Sequence, residues 1–306
     1  MSQQTYEIRN YRSSDFDGYV KLQLEAEKVD QSGRCTSRQV LQEYLHRPLY
    51  DPQKDLFIAE ASGKIAGFLN IKSELITHRV LLDFLVHPEH RRKGLAKQLL
   101  DRAMPHIRGL KVDVMHASVL EENAVARKVL SKLGFNVIRH FLEMSLSLSD
   151  IELPDVRSND FTMRHLQRGE EEKLAQLQNR CFADTWGFNP NTPEEIAYSL
   201  SLSDASPEDV VLIYDGERPA GYCWTKTNCE RAAGKGRILM LGVDLDYRGR
   251  GIGRLALLEG LSHLKDKGIG AVDLTVDSEN LAAHSLYRSS GFQVRTRSLY
   301  YEKRID

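Results

Sequence analysis

Apolar and polar positions alternate in two short runs, Tyr6-Glu7-Ile8-Arg9 and Phe161-Thr162-Met163-Arg164. A period of two belongs to a strand, so each run predicts an opening strand ahead of a polar stretch and a helix. Helix starts are marked by Thr36-Ser37-Arg38-Gln39 and Thr192-Pro193-Glu194-Glu195. In both, Thr is expected to accept the N3 amide while Gln39 or Glu195 reaches back, and Pro193 suits the first helical position. Leu174, Leu177, Cys181 and Phe182 give the preceding helix a buried face. Phe57 to Asn70 and Val211 to Thr225 read as strand, turn, strand, turning at Gly63 and at Asp215-Gly216. Apolar strands at Val80 to Val86 and Ile238 to Val243 each run into a basic, glycine-containing turn and an amphipathic helix, with Leu257, Leu261 and Leu264 on one face.

These patterns are one pattern used twice. Arg91-Arg92-Lys93-Gly94-Leu95-Ala96 reappears as Arg248-Gly249-Arg250-Gly251-Ile252-Gly253, and Gly94 to Gly251 is an offset of 251 − 94 = 157. Asn123 and Asn280, Gly134 and Gly291, and Phe135 and Phe292 keep that offset, so no insertion separates the repeats here. The 306 residues accommodate two domains of about 150, each large enough for its own core. Ser149 to Asp160 is polar and holds Pro154, which places the domains at 1–148 and 161–306 with a linker at 149–160.

Charge and cysteine content narrow the function classes. Lys plus Arg is 42 against 43 for Asp plus Glu, which argues against a general nucleic-acid or membrane surface. No apolar run approaches the ~20 residues of a membrane span. Cys35, Cys181, Cys223 and Cys229 form no C-x-x-C pair, and Met1 to Asn10 does not resemble a signal peptide. Reduced cytoplasmic thiols are expected, and no metal.

The turns at Arg91 to Ala96 and Arg248 to Gly253 point to an anion site. Unpaired amides at a helix start carry roughly half a positive charge, glycine lets a phosphate approach the main chain, and the basic side chains add full charges. Neither turn is a Walker loop or a G-x-G-x-x-G dinucleotide motif.

R-x-x-G-x-[GA] after an apolar strand, a strand at Ala271 to Val276, and then Asn280, Tyr287 and Gly291-Phe292 resemble the acetyl-CoA-binding core of the GNAT acyltransferase superfamily. The resemblance covers both repeats, and the tandem pair is most similar to the mycothiol synthase family. It implies an α/β (α+β) fold of two tandem GNAT domains. Each would be a mixed, mostly antiparallel twisted sheet with helices on both faces and a splayed central strand pair. It also implies acetyl-CoA as cofactor. Leu241, Gly242, Val243, Arg248, Gly249, Arg250, Gly251, Ile252, Gly253, Arg254 and Asn280 would contact it in the second repeat. Leu85, Val86, Arg91, Arg92, Lys93, Gly94, Leu95 and Ala96 are the matching positions in the first. In such proteins the loop amides bind the pyrophosphate, and a tyrosine on the later helix protonates the leaving thiolate.

That tyrosine separates the repeats. Asn280 and Tyr287 are seven apart and share a helical face, whereas 287 − 157 gives Leu130, which has no proton to donate. The second repeat is therefore the expected catalyst, with Tyr287 as general acid, and the first an impaired copy able to hold coenzyme A or to serve as scaffold. The resemblance places a glutamate at the start of the second repeat's fourth strand, where this chain has Arg237. Arginine is not a usable base and would suit an acidic or phosphorylated acceptor. Asp184, Glu230 and His284 remain unranked as bases. Trp186 and Phe188 line an acceptor pocket or anchor their loop. Trp224 and Lys226 are substrate candidates by resemblance.

Two readings follow. One is an acetyltransferase acting on a small-molecule primary amine by direct attack in a ternary complex, with a protein amine as a further acceptor. The other is an acyl-CoA-binding sensor or scaffold without turnover.

Overall fold

A computed structural model describes residues 5–30, 37–149, 151–154, 160–227 and 234–305. Two compact units emerge, one from residues 1–139 with 299–306 and the other from 140–298. The first repeat supplies β1 (Glu7–Asn10), α1 (Phe16–Asp30), α2 (Arg38–Leu45), the single turn α3 (Pro52–Asp55), β2 (Leu56–Ala61) and β3 (Lys64–Glu74). It continues through β4 (Arg79–Val86), α4 (Leu95–Gly109), β5 (Val114–Leu120), α5 (Ala124–Lys132) and β6 (Asn136–Ser147). The second supplies β7 (Thr162–His165), α6 (Glu171–Phe182), α7 (Pro193–Ser201), β8 (Val210–Asp215) and β9 (Arg218–Thr227). Then come β10 (Lys235–Val243), α8 (Ile252–Asp266), β11 (Ala271–Asp277), α9 (Leu281–Ser289) and β12 (Gln293–Arg304).

The 157-residue offset seen in the sequence holds for whole elements, since 252 − 95, 271 − 114, 281 − 124 and 293 − 136 all equal 157. In each unit four strands run antiparallel (β1 to β4; β7 to β10), and the fourth then pairs parallel with the next. The last strand does not follow the repeats. Residues 141–147 of β6 pair with β11 in unit 2, while 299–306 belong to unit 1, where Ile305 N–H donates to Asp113 at 3.0 Å. Each unit's sheet is thus completed by the other repeat's sequence.

Helices cover both sheet faces. In unit 2, Leu174, Leu177 and Ile196 of α6 and α7 bury with Tyr222 and Trp224, while Leu257, Leu261 and Leu264 of α8 bury with Val272, Leu274 and Val276 on the other side. In unit 1, Leu99, Ala103 and Ile107 of α4 occupy one cluster, and Tyr19 and Leu22 of α1 the other. Burying one such side chain contributes about 1.5–3 kcal/mol, so these faces hold the helix starts against the strand ends.

Thr192 forms the expected capping box, accepting from Glu195 N at 3.2 Å while Glu195 accepts from Thr192 N at 2.9 Å. At α2 the cap is Ser37, whose hydroxyl accepts from Val40 N at 3.2 Å, and Thr36 lies outside the described residues. The helix begins one residue later than the Thr pattern suggested, and either hydroxyl chemistry can serve that position. The stretch proposed as linker is partly packed: Ile151 and Leu153 lie against the unit 2 core, and Ile151 O accepts from Lys265 Nζ at 2.6 Å. No helix among the described residues is long and apolar enough to cross a membrane.

Candidate active site

Both basic turns lead into a helix through a left-handed glycine, Gly94 at φ +75° and Gly251 at φ +81°. Among the described residues no side chain caps either helix, so none answers the first-turn amides. Among the described residues a Cβ on Gly249 or Gly251 would meet nothing within 4 Å, so none of them crowds the main chain there. At the position matching Gly249, unit 1 carries Arg92, itself left-handed at φ +62°. A side chain in that region costs about 1–2 kcal/mol.

The leading arginine of each turn is engaged by its own unit. Arg248 forms a bidentate pair with Asp184 at 2.7 and 2.9 Å and donates to Cys181 O at 2.8 Å. Arg91 does the same with Asp30 at 2.9 and 2.6 Å, and its Nε donates to Val86 O at 3.1 Å. The Arg248 guanidinium holds the Asp184 carboxyl below its ordinary value, so Asp184 is a latch for the turn and not a free base. Arg250 lies over the rings of Phe161 and Tyr247, 5.1 Å from each centroid. Lys93 and Arg254 are exposed, whereas Leu95 and Ile252 are buried in the cores beneath their turns. Ala96 and Gly253 occupy matching places in the first turns of α4 and α8. Asn280 caps α9, accepting from Ala283 N at 3.1 Å, as Asn123 caps α5 at 2.9 Å.

Between the fourth and fifth strands both units open. β10 stays in register with β11 only through Arg237 and Asp273, and β4 with β5 only through Leu81 and His116. Leu85 and Val86, like Leu241, Gly242 and Val243, lie beyond that point. A Cβ on Gly242 would meet Tyr222 Cε1 at 2.7 Å and Cys181 Cβ at 2.9 Å, so glycine lets α6 close onto β10. The fourth strands themselves differ. The β9–β10 register shifts between Ile238 and Met240, leaving a bulge at Leu239, while β3–β4 runs unbroken from Gly67↔Val86 to Glu74↔Arg79. A bulge frees backbone polar groups from the ladder and re-aims the strand.

Tyr287 lies on α9 on the face shared with Leu274 and Val276, 7% exposed, with its ring edge-on to Phe292 at 5.8 Å. Burial, with Cys223 nearby, raises its phenol above the ordinary value, so it carries its proton at any working pH. Its hydroxyl makes no hydrogen bond among the described residues. The matching Leu130 is 4% exposed in the unit 1 core. His284 sits on α9 one turn before Tyr287. Glu230 lies outside the described residues.

The opposite face of the unit 2 sheet gathers the acceptor candidates. Lys226 stands beside Arg237 in register, and its Nζ pairs with Asp204 at 2.7 Å. Trp224 is 6% exposed and belongs to the cluster beneath α6 and α7. Trp186 meets Phe141 of β6 with centroids 6.3 Å apart, and Phe188 stacks on Phe182 at 5.4 Å, so both aromatics anchor their loop. The residue that sequence reasoning missed is Glu143. Its carboxylate accepts from Thr275 Oγ1 and from Ser298 Oγ, both at 2.7 Å, and lies 3.6 Å from Arg237, which also donates to Thr275. The alternation of Leu142, Met144, Leu146 and Leu148 marks Glu143 as facing away from the core, but nothing in the sequence assigns that strand to unit 2. In unit 1, His87, Glu89 and His90 bring potential metal-ligating atoms within 4.8 Å of one another, while Tyr6 holds His90 Nδ1 at 3.1 Å.

This arrangement defines an acyltransferase fold, and comparison with known proteins agrees. The chain belongs to the Acetyltransferase (GNAT) family, whose sequence pattern matches residues 20–135 and 171–292, once per repeat. A mycothiol acetyltransferase from Nocardia farcinica is 28% identical over 244 residues, covering 77% of this chain and 78% of its own. Another, from Thermobifida fusca, is 32% identical over 237 residues, covering 71% and 72%. In fold, the chain is similar to a tandem GNAT protein from the clavulanic acid biosynthesis pathway, with a TM-score of 0.76, 15% identity and 99% of both chains covered. A GCN5-related N-acetyltransferase from Sphaerobacter thermophilus gives 0.75 at 22% identity, covering 98% of this chain and 96% of its own. The tandem GNAT fold and N-acetyltransferase class implied by the motifs both stand.

Proposed function

We propose that unit 2 transfers acetyl from acetyl-CoA to the primary amine of a small molecule, by direct attack while both are bound. The observation that carries this reading is the asymmetry of the two splays: only unit 2 combines the Leu239 bulge with a tyrosine on the following helix. The open turn at Gly249 and Gly251, ahead of amides without a side-chain cap, suits the coenzyme's pyrophosphate. Bound acetyl-CoA supplies an activated acetyl thioester. The Arg248–Asp184 pair fixes the turn, and β10 beyond Arg237 offers backbone groups no longer paired to β11. The neutral amine attacks the carbonyl carbon, a C–N bond forms, and the C–S bond breaks as nitrogen releases a proton to water. The Tyr287 phenol gives its proton to the departing sulfur and regains one from solvent. The relatives named mycothiol acetyltransferases support a small-molecule acceptor. Unit 1 keeps the turn but has Leu130, which suits coenzyme binding or scaffolding without transfer.

Thiol release from acetyl-CoA over a panel of primary amines, with mass spectrometry of the products, tests the reading. Acetylated amine and stoichiometric thiol are expected. Tight acetyl-CoA binding without turnover would contradict it.

A further inference from the structure

The sheet face of unit 2 opposite Tyr287 carries charge that the described residues leave unanswered. Direct register places Lys226 beside Arg237, Arg237 beside Asp273, and Asp273 beside Ser145, with Thr275 and Glu143 as the next pair. Strand alternation sends Asp273 and Thr275 to this face, since Val272, Leu274 and Val276 fill the core on the other. Lys226 is paired with Asp204, and Arg237 with Glu143 and Thr275. The row therefore sets two cations, Lys226 and Arg237, against three carboxylates, Asp204, Glu143 and Asp273. Moreover, Oδ1 of Asp273 and Oδ1 of Asp204 are buried with no hydrogen-bond partner among the described residues. Leaving such an oxygen without a donor destabilises a fold, and buried polar atoms without partners are uncommon. Asp273 is also the last β11 residue in register with β10, so it stands where the splay begins.

We propose that this row is the acceptor subsite, that it takes up a small primary amine as its ammonium ion on Asp273 with Glu143 as the second anion, and that the docked ammonium gives one proton to water to become the neutral amine that attacks. The inference rests on the acetyltransferase reading of unit 2 and specifies its substrate class. An ammonium group has three donors and no acceptor, which matches two carboxylates. Arg237 alone would suit an acidic or phosphorylated acceptor, but its charge is already answered by Glu143, and an added anion would face Glu143 and Asp273 together. The subsite accordingly selects plain cationic amines over amines that also carry an anion.

The test uses the full chain with ethanolamine against phosphoethanolamine and propylamine against β-alanine, following acetyl transfer. The plain amines should be preferred. Asp273→Asn and Glu143→Gln should each raise the amine KM by about 10- to 100-fold, the size of one charge-assisted hydrogen bond. The acetyl-CoA Kd, read by calorimetry, should not move. Asp273→Asn should melt at the same or a higher temperature, because Oδ1 of Asp273 has no donor among the described residues to lose, a combination that a purely structural aspartate would not give. Unchanged amine KM in both variants, or preference for the anion-bearing amines, overturns the subsite while leaving the transferase reading intact. A wild-type protein that binds acetyl-CoA but acetylates none of the four overturns both.

Discussion

Unit 1 and unit 2 agree in the polar side-chain pairs that hold the scaffold and differ in the groups that would do chemistry. Arg9 binds Asp15 at 2.7 and 2.8 Å, and Arg164 binds Glu170 at 2.7 Å through both nitrogens. His106 meets Asp55 at 2.8 Å as His263 meets Asp209 at 3.2 Å, and Arg91–Asp30 is matched by Arg248–Asp184. These pairs tie the first strand to the residue just before the first helix, the residue just before the second strand to the glycine-turn helix, and the turn to the chain at the end of the first helix. Against that constancy stand Tyr287 and Leu130, Gly249 and Arg92, and a bulged β10 beside an unbroken β4. The pairs that position the turn stand in both units, and a phenol at the Tyr287 position stands in one.

The retained half of this comparison gives the largest expected stability effect. The Glu170 carboxyl is held down to about 2, chiefly by the Arg164 hydrogen bonds, with Lys173 and Gln167 N adding to the effect. A depressed folded-state value stabilises above the unfolded carboxyl range near ~4.3, and that contribution fades as pH falls toward about 2. Glu170→Gln should cost about 1.5–3 kcal/mol at neutral pH and flatten the acid limb of a stability–pH curve. Urea melts from pH 7 down to 2.5 measure both, and an unaltered acid limb would show that this pair does not hold the strand.

A paired substitution probes the turns next. Gly251→Ala and Gly94→Ala force a side chain into the same left-handed backbone, so both should lose about 1–2 kcal/mol of stability. Only Gly251→Ala should raise the acetyl-CoA KM for turnover, by about tenfold for one weakened phosphate contact. If Gly94→Ala lowers turnover while Gly251→Ala spares it, the roles of the units are reversed.

The smallest effect belongs to Arg92. Replacing it with Gly relieves a left-handed side chain and should stabilise unit 1 by about 1 kcal/mol, a rise in Tm readable by calorimetry, with turnover unchanged. Lower stability would mean that the arginine earns its place through contacts.

Much of this comparison was legible in the chain. Periods of two and 3.6, the Gly63 and Gly216 turns and the constant offset located strands, helices and the glycine turns, because each depends on residues close in sequence. Leu130 opposite Tyr287 needed only subtraction. What escaped depended on partners distant in sequence. Glu143 enters unit 2 because β6 pairs with β11, and alternation within a strand carries no record of its neighbour. The Arg248–Asp184 latch spans 64 residues, so Arg248 read as a free cation and Asp184 as a possible base. The Leu239 bulge is a register shift between two strands, and no residue type demands it.

The central claim is that unit 2 performs the transfer with Tyr287 as its acid, and Tyr287→Phe tests it most directly. The ring and its contact with Phe292 remain, and the hydroxyl makes no hydrogen bond among the described residues, so Tm should barely change. Loss of the proton donor should lower kcat by about 10²–10⁴-fold with acetyl-CoA affinity preserved. In the wild type, the raised phenol value should keep any alkaline loss of kcat due to Tyr287 above pH ~10, the ordinary tyrosine value. A Phe variant with wild-type kcat, where chemistry limits the rate, would contradict the account and leave Tyr287 a packing residue like Leu130.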